Sequence, residues 1–199
     1  MENAKKRLER SFFSRDTLVV SRELLGMRLV KMDRGRRISG IIAETEAYRG
    51  EEDQGCHCKA GRTPRTEAMY GPPGHAYVYF VYGMHWLLNF VTEKPARPAA
   101  VLIRGLIAEE GQEIIARRRS GQPRQRWLDG PAKVCQALAI DGKFNGKNIC
   151  HPDADLFVEF VPPGGSIQIL ETPRIGLNSV PEPWKSIPWR FVLDGRGYS

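Results

Sequence analysis

The chain contains a series of short apolar segments bounded by turn-forming residues, and this pattern limits it to a fold built around a β-sheet. Segments Met27–Met32 and Ile38–Glu46 lie on either side of Arg34-Gly35, which predicts a β-hairpin. Three further strands are predicted downstream, at Ala76–Tyr82, His85–Val91 and Ala99–Ile103. The C-terminal part mixes short strands with turns marked by proline and glycine.

Helical patterns are fewer. The apolar positions of Ser14–Leu25 predict one short helix. Two more helices are predicted at Glu109–Arg119 and at Pro131–Leu138, the latter with proline in its first turn. Gly50–Pro73 is polar and rich in glycine, proline and arginine, which is typical of a long functional loop. Because 199 residues fit one domain, we predict a single α+β domain over residues 1–199, with helices around an antiparallel or mixed sheet.

The chain is basic, with 30 Lys+Arg against 23 Asp+Glu, a net charge of +7 and a pI near 9.4. This balance favours a polyanionic partner, although many basic proteins bind none. No apolar run approaches the roughly 18 residues of a membrane helix, and Met1–Arg10 lacks the apolar core of a secretory signal. We expect an intracellular monomer whose residues 1–11 form a loosely ordered basic N-terminus. Its compartment would be the cytoplasm or nucleoid of a prokaryote, or the nucleus of a eukaryote.

The cysteines do not form a recognisable metal or disulfide framework. Cys56 and Cys58 flank His57, and Cys150-His151 lies far downstream without the CxxC spacing of a structural zinc site. We therefore expect neither a metal nor another cofactor.

Two stretches carry side chains suited to chemistry on a nucleobase. In an extended segment alternate residues share a face, so Glu44, Glu46 and Tyr48 can point into one cleft. Tyr77 and Tyr79 can share a face in the same way. Carboxylates suit the cleavage of a glycosidic bond, and aromatic faces suit the holding of a planar base. Spacing alone does not choose between Glu44 and Glu46.

Three longer motifs carry a family resemblance. They are Glu44-Thr45-Glu46-Ala47-Tyr48, Tyr77-Val78-Tyr79-Phe80-Val81-Tyr82-Gly83-Met84 and Gly130-Pro131-Ala132-Lys133-Val134-Cys135-Gln136-Ala137-Leu138. In order and spacing the chain resembles the mammalian-type 3-methyladenine (alkylpurine) DNA glycosylases from about Phe12 to Phe191. The resemblance implies a monofunctional DNA repair enzyme. Such an enzyme flips an alkylated or deaminated purine out of duplex DNA and hydrolyses its N-glycosidic bond, leaving an abasic site.

The resemblance also implies catalytic roles. Glu46 would deprotonate the attacking water and stabilise positive charge on the sugar. Arg104 would help to hold that water, because a guanidinium presents fixed donors. The backbone carbonyl of Ile175 would be a further contact to the water. Without the resemblance, a glutamate on a strand or an arginine at a strand end is more often a solvated residue.

The base pocket and the DNA-inserting element follow from the same resemblance. Tyr48, His57 and Tyr79 would form the walls around the flipped base, with the backbone amide of His57 on the base edge. The side chain of Asn89 would disfavour the exocyclic amine of normal guanine. A protruding hairpin would insert Tyr82 into the duplex where the base has left, with Met84 beside it.

Basic side chains are candidates for contacts to the DNA backbone. Arg117, Arg118 and Arg119 belong to the densest positive stretch, which predicts salt-sensitive phosphate binding. A solvated helix end explains the same cluster equally well. Lys133 follows Gly130-Pro131 and could donate to a phosphate near that helix N-terminus.

Two other classes of function stay open at this point. One is a non-catalytic nucleic-acid-binding protein that uses the tyrosines as a stacking platform, and formation of an abasic site would exclude it. The other is a bifunctional glycosylase-lyase with a lysine such as Lys133 as nucleophile. Borohydride trapping of a covalent DNA adduct would identify that class.

A first prediction concerns chelation. A carboxylate and an arginine can position and activate water without a Lewis acid, so excision is expected to proceed at full rate in excess EDTA. The measurement is a single-turnover excision assay with and without chelator. Activity that disappears with EDTA and returns with zinc would instead identify Cys56, His57 and Cys58 as a ligand set.

Overall fold

A computed structural model describes residues 6–162 and 168–194, and its main feature is one curled antiparallel sheet. In chain order the strands are β1 Arg28–Asp33, β2 Arg36–Arg49, β3 Ala76–Val81, β4 His85–Val91, β5 Ala99–Ala108, β6 Leu156–Glu159, β7 Ile169–Thr172 and β8 Arg190–Leu193. Neighbours in the sheet run β3-β4-β5-β2-β1-β6, while β8 pairs with β2 and with β7. Each pairing among these strands is antiparallel, so the predicted antiparallel or mixed sheet is antiparallel over the described residues.

Strand β2 organises the sheet because it pairs with three other strands. Its first part pairs with β1, Glu44–Glu46 pairs with β8, and its other edge pairs with β5. The stretch Ile38–Ala47 is buried without interruption. Such continuous burial is typical of a strand covered on both faces. The two carboxylates near its end are therefore buried together with it.

Within the described residues four short α-helices pack around the sheet, namely α1 Arg10–Phe13, α2 Thr17–Glu23, α3 Gln112–Arg118 and α4 Pro131–Leu138. Helix α2 begins after Asp16, whose carboxylate accepts a hydrogen bond from the Leu18 backbone N–H at 2.9 Å, a typical N-cap. It lies against β2, where the Ser21 hydroxyl meets the Thr45 hydroxyl at 3.1 Å. Helix α4 lies against β4 and β5 through its buried apolar side. The single α+β domain is confirmed.

Three predicted elements have wrong boundaries. Strand β5 continues to Ala108 instead of ending at Ile103, because a bulge near Arg104 maintains the pairing past residues that look like a strand end. The helix predicted at Glu109–Arg119 consequently begins only at Gln112. The helix predicted over Ser14–Leu25 is shorter as well, since Asp16 caps it at its start.

The predicted loop Gly50–Pro73 is well packed. It contains 3₁₀ turns at His57–Ala60 and Glu67–Tyr70. Its buried side chains form an apolar cluster with residues of the sheet, separate from the main hydrophobic core. The members of this cluster are Cys56, Cys58, Met69, Tyr70, Tyr77, Val91 and Ala100. This cluster fixes the loop against the end of β2 that carries Tyr48.

The N-terminal segment lies only partly within the described residues, because residues 1–5 fall outside them. The Leu8 backbone N–H donates to the Val158 carbonyl at 2.8 Å, and the Arg7 guanidinium lies 3.5 Å from the centre of the Phe157 ring. No helix in the described part of the chain is long and apolar enough to cross a membrane.

Candidate active site

The pairing of β2 with β5 is irregular where the carboxylates lie. Ile42 pairs with Leu106, Glu44 with Gly105 and Thr45 with Ile103, so the register shifts on both sides of Glu44. Ala43 and Arg104 have no partner of their own in this register. Bulges of this kind often redirect side chains beside active sites. Here the guanidinium of Arg104 contacts both carboxylates.

The carboxylate of Glu46 is the most enclosed group of the site, with no exposed surface. Its Oε1 accepts from the Ile175 backbone N–H at 2.7 Å, and its Oε2 accepts from the Tyr48 hydroxyl at 2.8 Å. Arg104 Nη1 lies 3.4 Å from Oε2. Burial raises the pKa of Glu46, while Arg104 and the two hydrogen bonds oppose that effect. The result is a fixed carboxylate with increased basicity.

Glu44 is the neighbouring carboxylate, but its contacts differ. Its Oε1 accepts from Arg104 Nε at 2.8 Å and from Arg190 Nε at 2.6 Å. Arg190 is itself held by the Thr172 hydroxyl at 3.0 Å. Glu44 is thus tied to two guanidinium groups, whereas Glu46 is held by a backbone amide and a phenol. The two carboxylates therefore differ in their partners, and of the two only Glu46 accepts a hydrogen bond from a backbone amide among the described residues.

A cavity of about 340 Å³ opens beside these carboxylates. All four predicted base-binding residues line it, namely Tyr48, His57, Tyr79 and Asn89. Arg104, Ile175 and Tyr82 line it as well. Glu46 does not itself line the cavity, but Tyr48, Arg104 and Ile175, which contact its carboxylate, all do.

Aromatic rings define the shape of this cavity. The rings of His57 and Tyr79 meet edge to face with centroids 4.5 Å apart, and Tyr77 lies 5.2 Å from Tyr79. His57 Nδ1 is 3.0 Å from the Tyr77 hydroxyl. Burial, together with Arg65 and Lys59, lowers the pKa of His57 to about 4. The imidazole is therefore neutral near pH 7 and adds no positive charge to the cavity wall.

The loop between β3 and β4 holds an aromatic ring in solvent. Tyr82 is 88 % exposed and has a φ of +52°, and Gly83 follows with a φ of +67°. The Met84 N–H donates to the Val81 carbonyl at 3.1 Å and closes the turn. Met84 is also largely exposed. A left-handed conformation at a tyrosine is strained, and such strain is concentrated at functional sites.

The sequence is similar to known proteins over nearly its whole length. A family model described as methylpurine-DNA glycosylase (MPG) matches residues 11–197. A protein of Desulfitobacterium hafniense named "Putative 3-methyladenine DNA glycosylase" is 43% identical over 202 residues, covering 97% of this chain and 98% of the relative. Proteins of the same name from Carboxydothermus hydrogenoformans and Methanocella arvoryzae are each 44% identical, covering 96% and 92% of this chain and 97% and 90% of those relatives. This chain belongs to the methylpurine-DNA glycosylase family.

Membership in this family confirms the predicted resemblance and the predicted enzyme class, a DNA-3-methyladenine glycosylase that repairs DNA containing alkylated purines. The match covers nearly the whole chain, as the serial motifs indicated.

In this methylpurine-DNA glycosylase, the three arginines that were predicted to contact DNA phosphates have different surroundings. Arg117 is exposed, whereas Arg118 pairs with Asp33 at 2.8 Å and donates to the Ala137 carbonyl. Arg119 is mostly buried and contacts Gln136. The cavity lining includes none of the three arginines.

Lys133 lies in the first turn of α4, whose Pro131 and Ala132 line the cavity. Its Nζ is paired with Asp129 at 2.6 Å. A lyase nucleophile must be a free amine directed at the sugar. The ion pair with Asp129 does not favour that role for Lys133.

Cys56 and Cys58 are buried free thiols whose Sγ atoms lie 2.7 Å apart, and Cys58 contacts the Gly50 carbonyl. They pack the loop that presents His57 to the cavity of this glycosylase. Across the described residues, no group of three or more His, Cys, Asp or Glu side chains could hold a metal ion.

Sequence reasoning missed several residues that build the site. Tyr77, which has no predicted site role, is buried, and its hydroxyl contacts His57. Arg190 holds Glu44, and Arg174 forms a buried pair with Asp53. The partners of these two arginines are more than a hundred positions away in the sequence, so no local pattern could have found them.

Proposed function

We propose that this glycosylase removes alkylated or deaminated purines from duplex DNA by hydrolysis, with Glu46 as the general base. The observation that carries the proposal is a buried carboxylate held by three residues that also line an aromatic cavity. Because DNA is the substrate, we also propose an intracellular location. We further propose that the enzyme acts as a monomer.

In the proposed reaction, the bond between the sugar C1′ and the purine nitrogen breaks while a water oxygen bonds to C1′. The electron pair of the broken bond leaves with the purine. Glu46 accepts the proton of the water, and its charge stabilises the oxocarbenium-like sugar of the transition state. Arg104 and the carbonyl of Ile175 orient the water. The amide of Ile175 donates to Glu46 at 2.7 Å, which keeps the Ile175 backbone beside the carboxylate that acts as the general base.

The cavity suits a flipped purine. Stacking on aromatic rings contributes about 1–3 kcal/mol per base and offsets part of the cost of extrusion. Tyr48, His57 and Tyr79 provide these rings, and positively charged alkylpurines gain additional cation–π attraction. A neutral His57 preserves that attraction, since an imidazolium would repel a cationic base. Asn89 is fixed by donating to the Tyr77 carbonyl at 3.1 Å and would select against the exocyclic amine of guanine.

The exposed loop at Tyr82 is the proposed element of DNA insertion. An aromatic ring presented on a tight turn can replace the missing stack, with Met84 beside it. Arg117 and Lys133, together with Arg118 and Arg119 if their internal pairs open, are proposed to contact phosphates. Such contacts would make binding fall steeply with salt.

An excision assay on a panel of lesion duplexes tests the proposed function. The panel contains 3-methyladenine, 7-methylguanine, hypoxanthine and ethenoadenine, each beside an undamaged control duplex. We expect abasic sites in at least one lesion duplex and none in the control. Lesion binding without any abasic product would favour the non-catalytic stacking platform, and a borohydride-trapped adduct would favour a lyase.

The pH dependence of excision provides a further prediction. Glu46 must be ionised to accept a proton, and burial raises its pKa above the ordinary value of 4.5. The ionised fraction falls as the pH drops through this raised pKa, so the single-turnover rate should decline on the same limb. Enzyme-free duplex at each pH corrects for spontaneous base loss. A rate that stays constant down to pH 4.5 would contradict this role of Glu46.

A further inference from the structure

A buried ion pair lies next to the proposed base without taking part in the proposed chemistry. Arg174 Nη1 is 2.5 Å from Asp53 Oδ2 and Nη2 is 2.8 Å from Oδ1, and both side chains are fully buried. Burying two charges is expensive even when they pair well. An apolar pair of the same volume would pack at least as well. Packing alone therefore does not explain why an ion pair lies here, and its other contacts must be considered.

The guanidinium of Arg174 has further partners. Nη1 donates to the Ala47 carbonyl at 3.0 Å, and Nη2 donates to the Trp184 carbonyl at 3.2 Å. The Cζ atom of Arg174 lies 4.8 Å from the centre of the Tyr48 ring and 5.2 Å from the centre of the Trp189 ring. One side chain thus joins the end of β2 to the C-terminal segment and supports an aromatic wall of the cavity.

Asp53 extends this junction into the loop after β2. Its Oδ2 accepts from the Arg49 backbone N–H at 3.3 Å, and its Oδ1 accepts from the Gly55 N–H at 2.9 Å. Gly55 lines the cavity, and a Cβ at that position would lie 2.8 Å from Arg174 Nη2. The close approach of the guanidinium therefore depends on glycine at this position.

Arg174 directly precedes a residue that contacts Glu46, the proposed general base, so the contacts of Arg174 and Asp53 are linked to that carboxylate. The next residue is Ile175, whose N–H donates to Glu46 Oε1 at 2.7 Å. We propose that Arg174, clamped by Asp53, is a positioning residue that holds the Ile175 amide on Glu46 and the Tyr48 ring at the cavity wall. This inference rests on the proposed role of Glu46, since Arg174 would act only through that carboxylate and that ring.

The charged and titratable groups that face Glu46 come from four elements. They are Glu44 and Tyr48 on β2, Tyr79 on β3, Arg104 on β5 and Arg174 in the C-terminal segment. Arg104, the Ile175 amide and the Tyr48 hydroxyl lower the pKa of Glu46, whereas burial and Glu44 raise it. Loss of the Ile175 hydrogen bond would therefore raise the pKa further.

Arg174→Lys tests the proposal because it keeps the positive charge and removes the two-pronged contact and the ring stacking. We expect the single-turnover excision rate to fall by about 10²-fold, as for a misplacement of roughly 1 Å. We also expect the acid limb of the pH–rate profile to move up by about one pH unit, because a hydrogen bond to the ionised carboxylate is lost. A purely structural role would lower stability without moving that limb.

Arg37→Lys is the matched control. Arg37 also donates two hydrogen bonds to one buried carboxylate, that of Glu159 at 3.1 and 3.0 Å, and it lies 6.0 Å from the centre of the Phe157 ring. It is not among the residues that line the cavity. The control should lower thermal stability while its rate and acid limb stay at wild-type values.

Asp53→Asn is the second variant, useful if Arg174→Lys does not fold. Loss of a negative charge would by itself lower the pKa of Glu46, whereas a loosened Ile175 amide raises it. An acid limb that moves up therefore supports the positioning role, and one that moves down overturns it. Excision rates and acid limbs that stay at wild-type values in both variants would also overturn the positioning role. Absence of excision by the wild-type enzyme would instead reject the proposed function itself.

Discussion

Glu46→Gln is expected to reduce single-turnover excision by about 10²–10⁴-fold, the usual consequence of losing a general base. Glutamine preserves the size and polarity of the side chain. Its carbonyl can still accept the Ile175 N–H that now lies 2.7 Å from Oε1. The cavity should keep its shape, so binding of lesion DNA should be largely retained. The measurements are single-turnover excision and equilibrium binding on the same lesion duplex.

Glu44→Gln is the control for that prediction. Glu44 is tied to Arg104 at 2.8 Å and to Arg190 at 2.6 Å, so its removal should loosen the site rather than remove the base. We expect a smaller loss of rate than for Glu46→Gln. Normal excision by Glu46→Gln together with an inactive Glu44→Gln would reverse the assignment of the base.

Tyr82→Ser is expected to weaken the flipped state and leave the water-activating groups intact. If stacking of this ring contributes about 1–3 kcal/mol, the flipped population falls by roughly 5- to 150-fold. The side chain is 88 % exposed, so the substitution removes little packing and the fold should not suffer. The measurement is the excision rate on lesion duplexes that differ only in the base opposite the lesion.

The pattern of that loss is more informative than its size. It should be largest in a well-paired duplex and smaller opposite a mismatch, where extrusion already costs less. Tyr82→Phe keeps the ring and should behave like the wild type. An equal loss in every duplex would point to misfolding or to a direct role in the chemistry, and the insertion role would be abandoned.

Much of the sheet could be predicted from the sequence because its strands are short apolar segments bounded by turn residues, in which alternate side chains share a face, and this pattern is local. That pattern also put Glu44, Glu46 and Tyr48 on one face, and the hydrogen bond between Tyr48 and Glu46 agrees with it. The extent of β5 could not be predicted, since a bulge lets Arg104 interrupt the pattern without ending the strand. Local propensity does not encode which strand is bulged against which.

The site could be predicted only in part, for a related reason. The resemblance, not the spacing, chose Glu46. The structure adds that Glu46 accepts from a backbone amide and a phenol, whereas Glu44 accepts from two guanidinium groups. The pair of Arg174 and Asp53 spans 121 positions. Such contacts form only when the chain around Arg174 packs against the end of β2, and no short sequence motif predicts them.

The most direct test of the central claim is a product balance on a duplex with a single 3-methyladenine, treated with excess wild-type enzyme in EDTA. Released base is quantified by mass spectrometry and abasic sites by strand cleavage, with a borohydride arm in parallel. Water-mediated hydrolysis predicts free 3-methyladenine and abasic sites in equal amounts, with no trapped adduct. Bound duplex whose methylated base stays attached, or an adduct in the borohydride arm, would contradict it.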